Sequence, residues 1–147
     1  MFLFTEIIQH HGSGEKCGGW ICLVRAPEQF EVIVTTNLFG DILSDEACMF
    51  VGGLGVAASG NIGADAAVFE PVHGSAPTLV GTGKANPIAT ILASTMMLDY
   101  LGEKEQAIRL RNAVEKCIAD GQVTPDLGGT LTTSEMTEKV KNIIMNS

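Results

Sequence analysis

The stretch Phe30-Glu-Val-Ile-Val-Thr-Thr-Asn-Leu-Phe-Gly-Asp-Ile-Leu-Ser-Asp-Glu46 decides the fold class. Its first six residues are a β-branched run between Pro27 and Asn37, which reads as a mostly buried strand. Asn37 to Asp41 reads as a turn, and a helical pattern runs from Asp41 to about Val51. A strand passing directly into a helix is the unit of an α/β layer arrangement.

Downstream, the pattern repeats in kind. Gly52 to Gly63 is a glycine-rich connection, and Ala66-Ala-Val-Phe-Glu-Pro-Val72 is a second strand candidate. His73-Gly-Ser-Ala-Pro77 is a loop. Asn86-Pro87 then supplies an N-cap and a proline suited to a first helical position. The helix from Ile88 to about Leu101 is apolar on most sides, so burial is expected. An amphipathic helix covers about Lys104 to Ala119, with Gly121 as its stop. Thr132 and Glu135 have capping-box spacing ahead of a last helix through about Met145. Upstream, residues 1–19 show no helix or strand period, and pattern begins only at Trp20. Two or three strands are few for a sheet, which implies partner strands supplied from elsewhere.

Composition narrows the function. The 147 residues carry 9 Lys plus Arg against 17 Asp plus Glu, a net charge of −8, which is a poor match for a nucleic-acid backbone. Arg25, Arg109 and Arg111 are the only arginines, too scattered to clamp a polyanion in bidentate fashion. The cysteines at 17, 22, 48 and 117 form no CxxC pair, which argues against a disulfide framework and for a reducing compartment. Together with His10 and His11 they fit no standard zinc motif. The uncharged run from Ala47 to Ala64 contains too many glycines for a membrane span, so a soluble protein is expected.

Three groups of residues invite chemistry. Asp41 and Asp45, at i and i+4, lie on one helix face. Two like charges there repel unless a divalent cation offsets them, although on spacing alone a helix cap at Asp41 and a solvated Asp45 are the more ordinary explanation. Gly53-Leu-Gly-Val-Ala-Ala58 matches a GxGxxA dinucleotide string but follows a helix rather than a strand, so it is rejected as a Rossmann fingerprint. His73, Gly74, Ser75, Ala76 and Asn86 sit in loops ahead of helix starts. There small residues let a ligand approach the backbone, and a purely structural loop is the competing reading.

Thr36-Asn-Leu-Phe-Gly-Asp-Ile-Leu-Ser-Asp-Glu46, Phe69-Glu-Pro-Val-His-Gly-Ser-Ala-Pro77, Ala85-Asn-Pro87 and Asp126-Leu-Gly-Gly129 together resemble the isocitrate/isopropylmalate dehydrogenase family, over about residues 21–147. The resemblance implies the C-terminal part of that α/β fold, with a cofactor site that is not of Rossmann type. Residues 1–51 would be the tail of the smaller, substrate-side domain, with 1–19 divergent. Residues 52–147 would be the C-terminal part of the cofactor-side domain.

It implies metal-dependent oxidative β-decarboxylation of a small 2-hydroxy acid: isocitrate, homoisocitrate or 3-isopropylmalate. The isocitrate and homoisocitrate enzymes look the nearer kin. Asp41 and Asp45 match carboxylates that hold Mg²⁺ or Mn²⁺. His73, Gly74, Ser75, Ala76 and Asn86 match the adenosine side of the NAD site, NADP not excluded, since Thr78-Leu79 fits neither cofactor's usual pattern. The catalytic Tyr and Lys and the substrate arginines of the family lie upstream, so no catalytic residue is expected in this chain. An ungapped count puts the third metal carboxylate at Cys17. The resemblance further implies a homo- or hetero-oligomer of related subunits, with no nucleic acid or membrane partner, in the cytoplasm or in mitochondria if eukaryotic. The second expectation is a truncated, non-catalytic or regulatory partner subunit that is inactive alone.

Overall fold

The computed structural model describes the backbone of residues 7–10 and 20–146, and the side chains of 22–28, 30 and 32–146. The chain divides into two compact units, Met1–Phe50 and Val51–Ser147.

In the first unit, β1 (Ile7–His10) pairs antiparallel with β2 (Phe30–Val34), aligning Ile7 with Val34 and His10 with Phe30. Helix α1 (Trp20–Arg25) lies between them in sequence, and α2 (Asn37–Cys48) follows β2. Three expectations are corrected here. Residues 7–10 form a strand although they carry no readable period, because pairing with β2 supplies what local pattern does not. Helix α2 starts at Asn37, so the supposed turn 37–41 is its first turn. The β2 side chains Val32, Ile33 and Val34 are exposed, at 62%, 41% and 47%, because no layer of described residues covers them. Gly40 sits within α2 because a Cβ there would come within 2.9 Å of the Thr35 methyl, which packs across the helix entry.

The second unit holds β3 (Ala58–Ile62) paired antiparallel with β4 (Ala67–Pro71) in unbroken register. Strand β3 falls inside the glycine-rich segment read as connection. Gly60 lies opposite Phe69, and an added Cβ would stand 3.0 Å from that ring, so the glycine lets Phe69 lie across the hairpin. Phe69 in turn meets Tyr100 of α3 (Ile88–Tyr100), with ring centroids 5.6 Å apart and the rings tilted by 54°. Helix α3 is only partly enclosed: Ile88, Ala89, Ala93 and Thr95 are buried, whereas Met97 and Tyr100 are exposed.

Helices α4 (Lys104–Ala119) and α5 (Thr133–Met145) close the core. Ile88, Ala113, Val114, Cys117, Val123, Met136 and Val140 form one buried cluster. Each large aliphatic member contributes roughly 1.5–3 kcal/mol by leaving water. Arg109 of α4 donates to the Ile144 carbonyl at 2.9 Å, satisfying an orphan acceptor at the end of α5. No helix among the described residues is long and apolar enough to cross a membrane.

The capping box is present as the spacing predicts. Thr132 accepts from the Glu135 amide at 3.2 Å, and Glu135 accepts from the Thr132 amide at 2.8 Å. These bonds from Thr132 hold the Glu135 carboxyl below its ordinary value of 4.5. Thr132→Ala should therefore cost about 1 kcal/mol in urea unfolding at pH 7. A depressed folded-state value stabilises above the unfolded value and loses that stabilisation as pH falls through the folded one. The gap between variant and parent should accordingly narrow below about pH 4.5. A gap that widens on acidification would contradict the capping role.

Cys22 is buried and disulfide-bonded, while Cys48 and Cys117 are free.

Candidate functional site

The second unit contains a half-open groove of about 350 Å³ beside the N-terminus of α3. His73, Gly74, Ser75, Ala76 and Asn86 all line it, so residues read from two separate loops share one concavity. Its other walls come from Gly55, Leu79, Val80, Lys84, Ala85 and Asp126.

Backbone geometry shapes the first loop. Ala76 is the one described non-glycine residue with positive φ, at φ 40° and ψ 64°. A left-handed alanine costs roughly 1–2 kcal/mol, and such strain concentrates at ligand sites. Pro77 follows and begins a 3₁₀ turn to Leu79. His73 Nδ1 lies 3.0 Å from the Gly74 carbonyl. A carbonyl only accepts, so Nδ1 carries the proton and Nε2 is the ring's remaining valence.

The second loop is fixed by a hydrogen-bond chain of which sequence reading gave the first link, the Asn86 cap, and missed the rest. Asn86 Oδ1 accepts from the Ile88 amide at 2.9 Å, capping α3 with its side chain. Asn86 Nδ2 donates to Asp126 Oδ2 at 2.8 Å. Thr124, fully buried, donates from Oγ1 to Asp126 Oδ1 at 2.6 Å. Gly55 completes the arrangement by absence: a Cβ there would meet Asp126 Oδ2 at 2.8 Å and Asn86 Cβ at 3.2 Å. Thus the string Gly53 to Ala58 is not a dinucleotide fingerprint. It precedes β3 as a 3₁₀ turn (Leu54–Val56), and its second glycine makes room for the Asn86–Asp126 pair. Asp126 stood within a quoted motif, but nothing local links it to Asn86, 40 residues away.

Asp41 and Asp45 lie one turn apart on α2 and both are exposed. Neither forms a salt bridge among the described residues, unlike Lys116–Asp120 and Lys141–Glu138. Two unpaired carboxylates about 6 Å apart along the helix axis are a hard-oxygen donor set that suits Mg²⁺ or Mn²⁺. No cluster of three or more His, Cys, Asp or Glu occurs among the described residues. Cys17, where the third ligand was counted, lies outside them.

Two other features are set apart from this chemistry. A larger groove of about 710 Å³ runs between the ends of α4 and α5, past Lys116, Asp120 and Lys139, but includes none of the motif residues. The free thiols are not activated nucleophiles. Burial pushes the Cys117 thiol up, with Asp120 adding to it, and burial followed by the Asp45 charge does the same to Cys48.

Comparison with known proteins places these features in a family. The isocitrate/isopropylmalate dehydrogenase family model matches residues 19–140. The chain is 64% identical over 118 residues to the isocitrate/homoisocitrate dehydrogenase of Thermus thermophilus, covering 80% of this chain and 35% of that protein. It is 57% identical over 122 residues to the homoisocitrate dehydrogenase of Methanocaldococcus jannaschii, covering 83% and 35%. The crystal structure of isocitrate dehydrogenase from Methylococcus capsulatus superposes with a TM-score of 0.83 at 50% identity, covering 84% of this chain and 38% of that one. The chain therefore spans about a third of the length of the relatives it matches. With the motifs in order and the fold shared at this level of identity, the chain belongs to the isocitrate/isopropylmalate dehydrogenase family.

Proposed function

We propose that this chain supplies the metal carboxylates and the adenosine-side cofactor groove of an NAD(P)-dependent oxidative decarboxylase acting on isocitrate or homoisocitrate, with 3-isopropylmalate as the nearest alternative. The observation that carries the reading is the gathering of His73, Gly74, Ser75, Ala76 and Asn86 on one groove. Asp41 and Asp45 would hold Mg²⁺ or Mn²⁺, which when bound supplies Lewis-acid polarisation of the substrate oxygen. The His73–Pro77 loop would take the adenosine end of the cofactor, with Asn86 held in place by Asp126.

The chain acts with further polypeptide, as part of a homo- or hetero-oligomer. Val32, Val34, Leu38, Ile42 and Met49 are exposed apolar residues of the first unit, a pattern that marks surfaces meant for contact. Arg109 is already committed to the end of α5, and a tri-anion buried without paired cations is costly. A non-catalytic partner subunit is the second reading, favoured by the same lack of clustered cations.

The test is an absorbance assay at 340 nm with Mg²⁺, NAD or NADP, and each of the three acids. The purified chain alone should give no reduction. Adding the separately produced remainder of the Thermus thermophilus relative should restore it. Reduction by a soluble homo-oligomer of this chain alone would overturn the contributing role. A stable complex with the remainder that still shows no reduction would overturn the functional reading.

A further inference from the structure

The 710 Å³ groove between the last turns of α4 and α5 has about twice the volume of the groove beside α3, and no motif residue lines it. Lys116 faces it from α4, Lys139 and Asn142 from α5, and Gln122 from the bend after α4. Two helix C-termini in one groove would ordinarily favour a cation. Here their backbone acceptors already have donors. The carbonyls of Lys116, Cys117 and Ile118 accept from the amides of Asp120, Gln122 and Gly121 at 2.9, 2.8 and 3.0 Å. Gly121, at φ +66°, supplies the left-handed turn that this cap requires. On α5, the Asn142 carbonyl accepts from Asn146 Nδ2 at 2.7 Å, the Ile143 carbonyl from the Asn146 amide at 3.2 Å, and the Ile144 carbonyl from Arg109 at 2.9 Å.

What the walls still offer is donors. The carboxamides of Gln122 and Asn142 form no hydrogen bond among the described residues, and Lys139 forms no salt bridge there. Glu135, one turn back from Lys139, is already engaged by Thr132. Asp120, the carboxylate on these walls, is paired with Lys116 at 3.4 Å. The two ammoniums come from different helices and bear on one point: both oppose the rise that burial and Asp120 impose on the Cys117 thiol. Beneath them the buried Cys117 and half-buried Ile143 make an apolar floor. Two cations and free amide donors above an apolar floor, in a chain of net charge −8, suit an acceptor-rich anion on a small carbon body.

We propose that this groove binds a small phosphate monoester, with its oxyanion between Lys116 and Lys139 and its carbon body against Cys117 and Ile143. Lysine binds phosphate as a point charge, and a phosphate dianion brings three acceptor oxygens to share among two ammoniums and two carboxamides. A carboxylate brings one charge and two oxygens. The site shares no residue with the metal carboxylates or the α3 groove, so it stands independently of the function proposed above.

Isothermal titration of the full 147-residue chain at low salt, with glycerol 3-phosphate as the probe, tests this. Glycerate carries a carboxylate on a similar carbon body, and glycerol carries no charge. Glycerol 3-phosphate should bind about tenfold or more tightly than glycerate, and high salt should weaken it. Lys116→Gln and Lys139→Gln should each weaken it roughly three- to tenfold, between the value of an exposed ion pair and that of a charge-assisted hydrogen bond. Lys141→Gln makes the same charge change on the same helix, but Lys141 is paired with Glu138 and does not line the groove, so binding should stay within about 1.5-fold of the parent. Bound probe should also slow alkylation of Cys117 and leave that of Cys48 unchanged, read by mass spectrometry. Equal losses in the Lys139 and Lys141 variants would reduce the effect to general charge and overturn the site. Glycerate binding as tightly as the phosphate would overturn the ligand class. No binding to a chain with native circular dichroism would overturn both, and the reduction assay would still judge the family function separately.

Discussion

Gly129→Ala should cost residues 51–147 about 3 kcal/mol or more, the largest stability loss expected of a methyl addition at any described glycine. A Cβ at Gly129 would sit on the Val123 carbonyl, 2.6 Å from its carbon and 2.8 Å from the Val123 methyl Cγ2. The clash is with backbone, which cannot swing aside. The Gly129 amide donates to the Thr124 carbonyl and the Leu131 amide to the Val123 carbonyl, each at 3.1 Å, so the two segments are tied together at the crossing. Relief would have to break those bonds and shift Thr124, which anchors Asp126 and through it Asn86. A domain has only about 5–15 kcal/mol to lose, so the variant should melt early in urea and bind nucleotide poorly. Gly74→Ala is the control, because nothing lies within 4 Å of its Cβ position. Its stability should stay within about 0.5 kcal/mol of the parent. Equal urea midpoints for the Gly129 and Gly74 variants would show that the crossing is not as close as described.

The second large effect concerns the carboxylates of α2. Replacing the matched 118 residues of the Thermus thermophilus relative with those of this chain gives a hybrid in which the remaining parts of the enzyme are present. In that hybrid, Asp41→Asn and Asp45→Asn keep side-chain size and remove one charge each. If the pair holds the catalytic cation, each should lower kcat/KM on the order of a hundredfold or more, the scale of several kcal/mol of lost charge stabilisation. Raising Mg²⁺ or Mn²⁺ should recover part of the loss, a response that a merely structural aspartate would not give. Glu46→Gln, on the same helix, should change the rate little. Losses below threefold for both aspartate variants would remove them from the metal site.

The C-terminal half of the fold was legible because its signals are local. Helix α5 announces itself through Thr132 and Glu135, and the structure contains both reciprocal bonds. Helix α4 carries an apolar stripe, of which Ala107, Val114 and Cys117 are buried, whereas Ile108 and Ile118, expected on the same face, are exposed. What escaped reading depends on partners remote in sequence. Strand β3 is Ala-Ser-Gly-Asn-Ile, weak in strand propensity, and forms because β4 lies opposite. Strand β1 depends likewise on β2. The run Val32–Val34 shows the converse error, since β-branched residues specify a strand without specifying that anything covers it. At the groove, the motif residues were named correctly as neighbours, but the devices that place them were not. Asp126, Thr124 and Gly55 act through a buried hydroxyl, a carboxylate and a missing Cβ that meet only after folding.

The central claim is that these residues serve a decarboxylating dehydrogenase. The most direct test is the rate of NAD or NADP reduction by the unmutated hybrid with isocitrate and homoisocitrate in the presence of Mg²⁺. The account predicts substrate-dependent reduction that EDTA abolishes and added Mg²⁺ restores. A hybrid that melts cooperatively like its parent, yet reduces neither cofactor with isocitrate, homoisocitrate or 3-isopropylmalate while the parent does so, would contradict it.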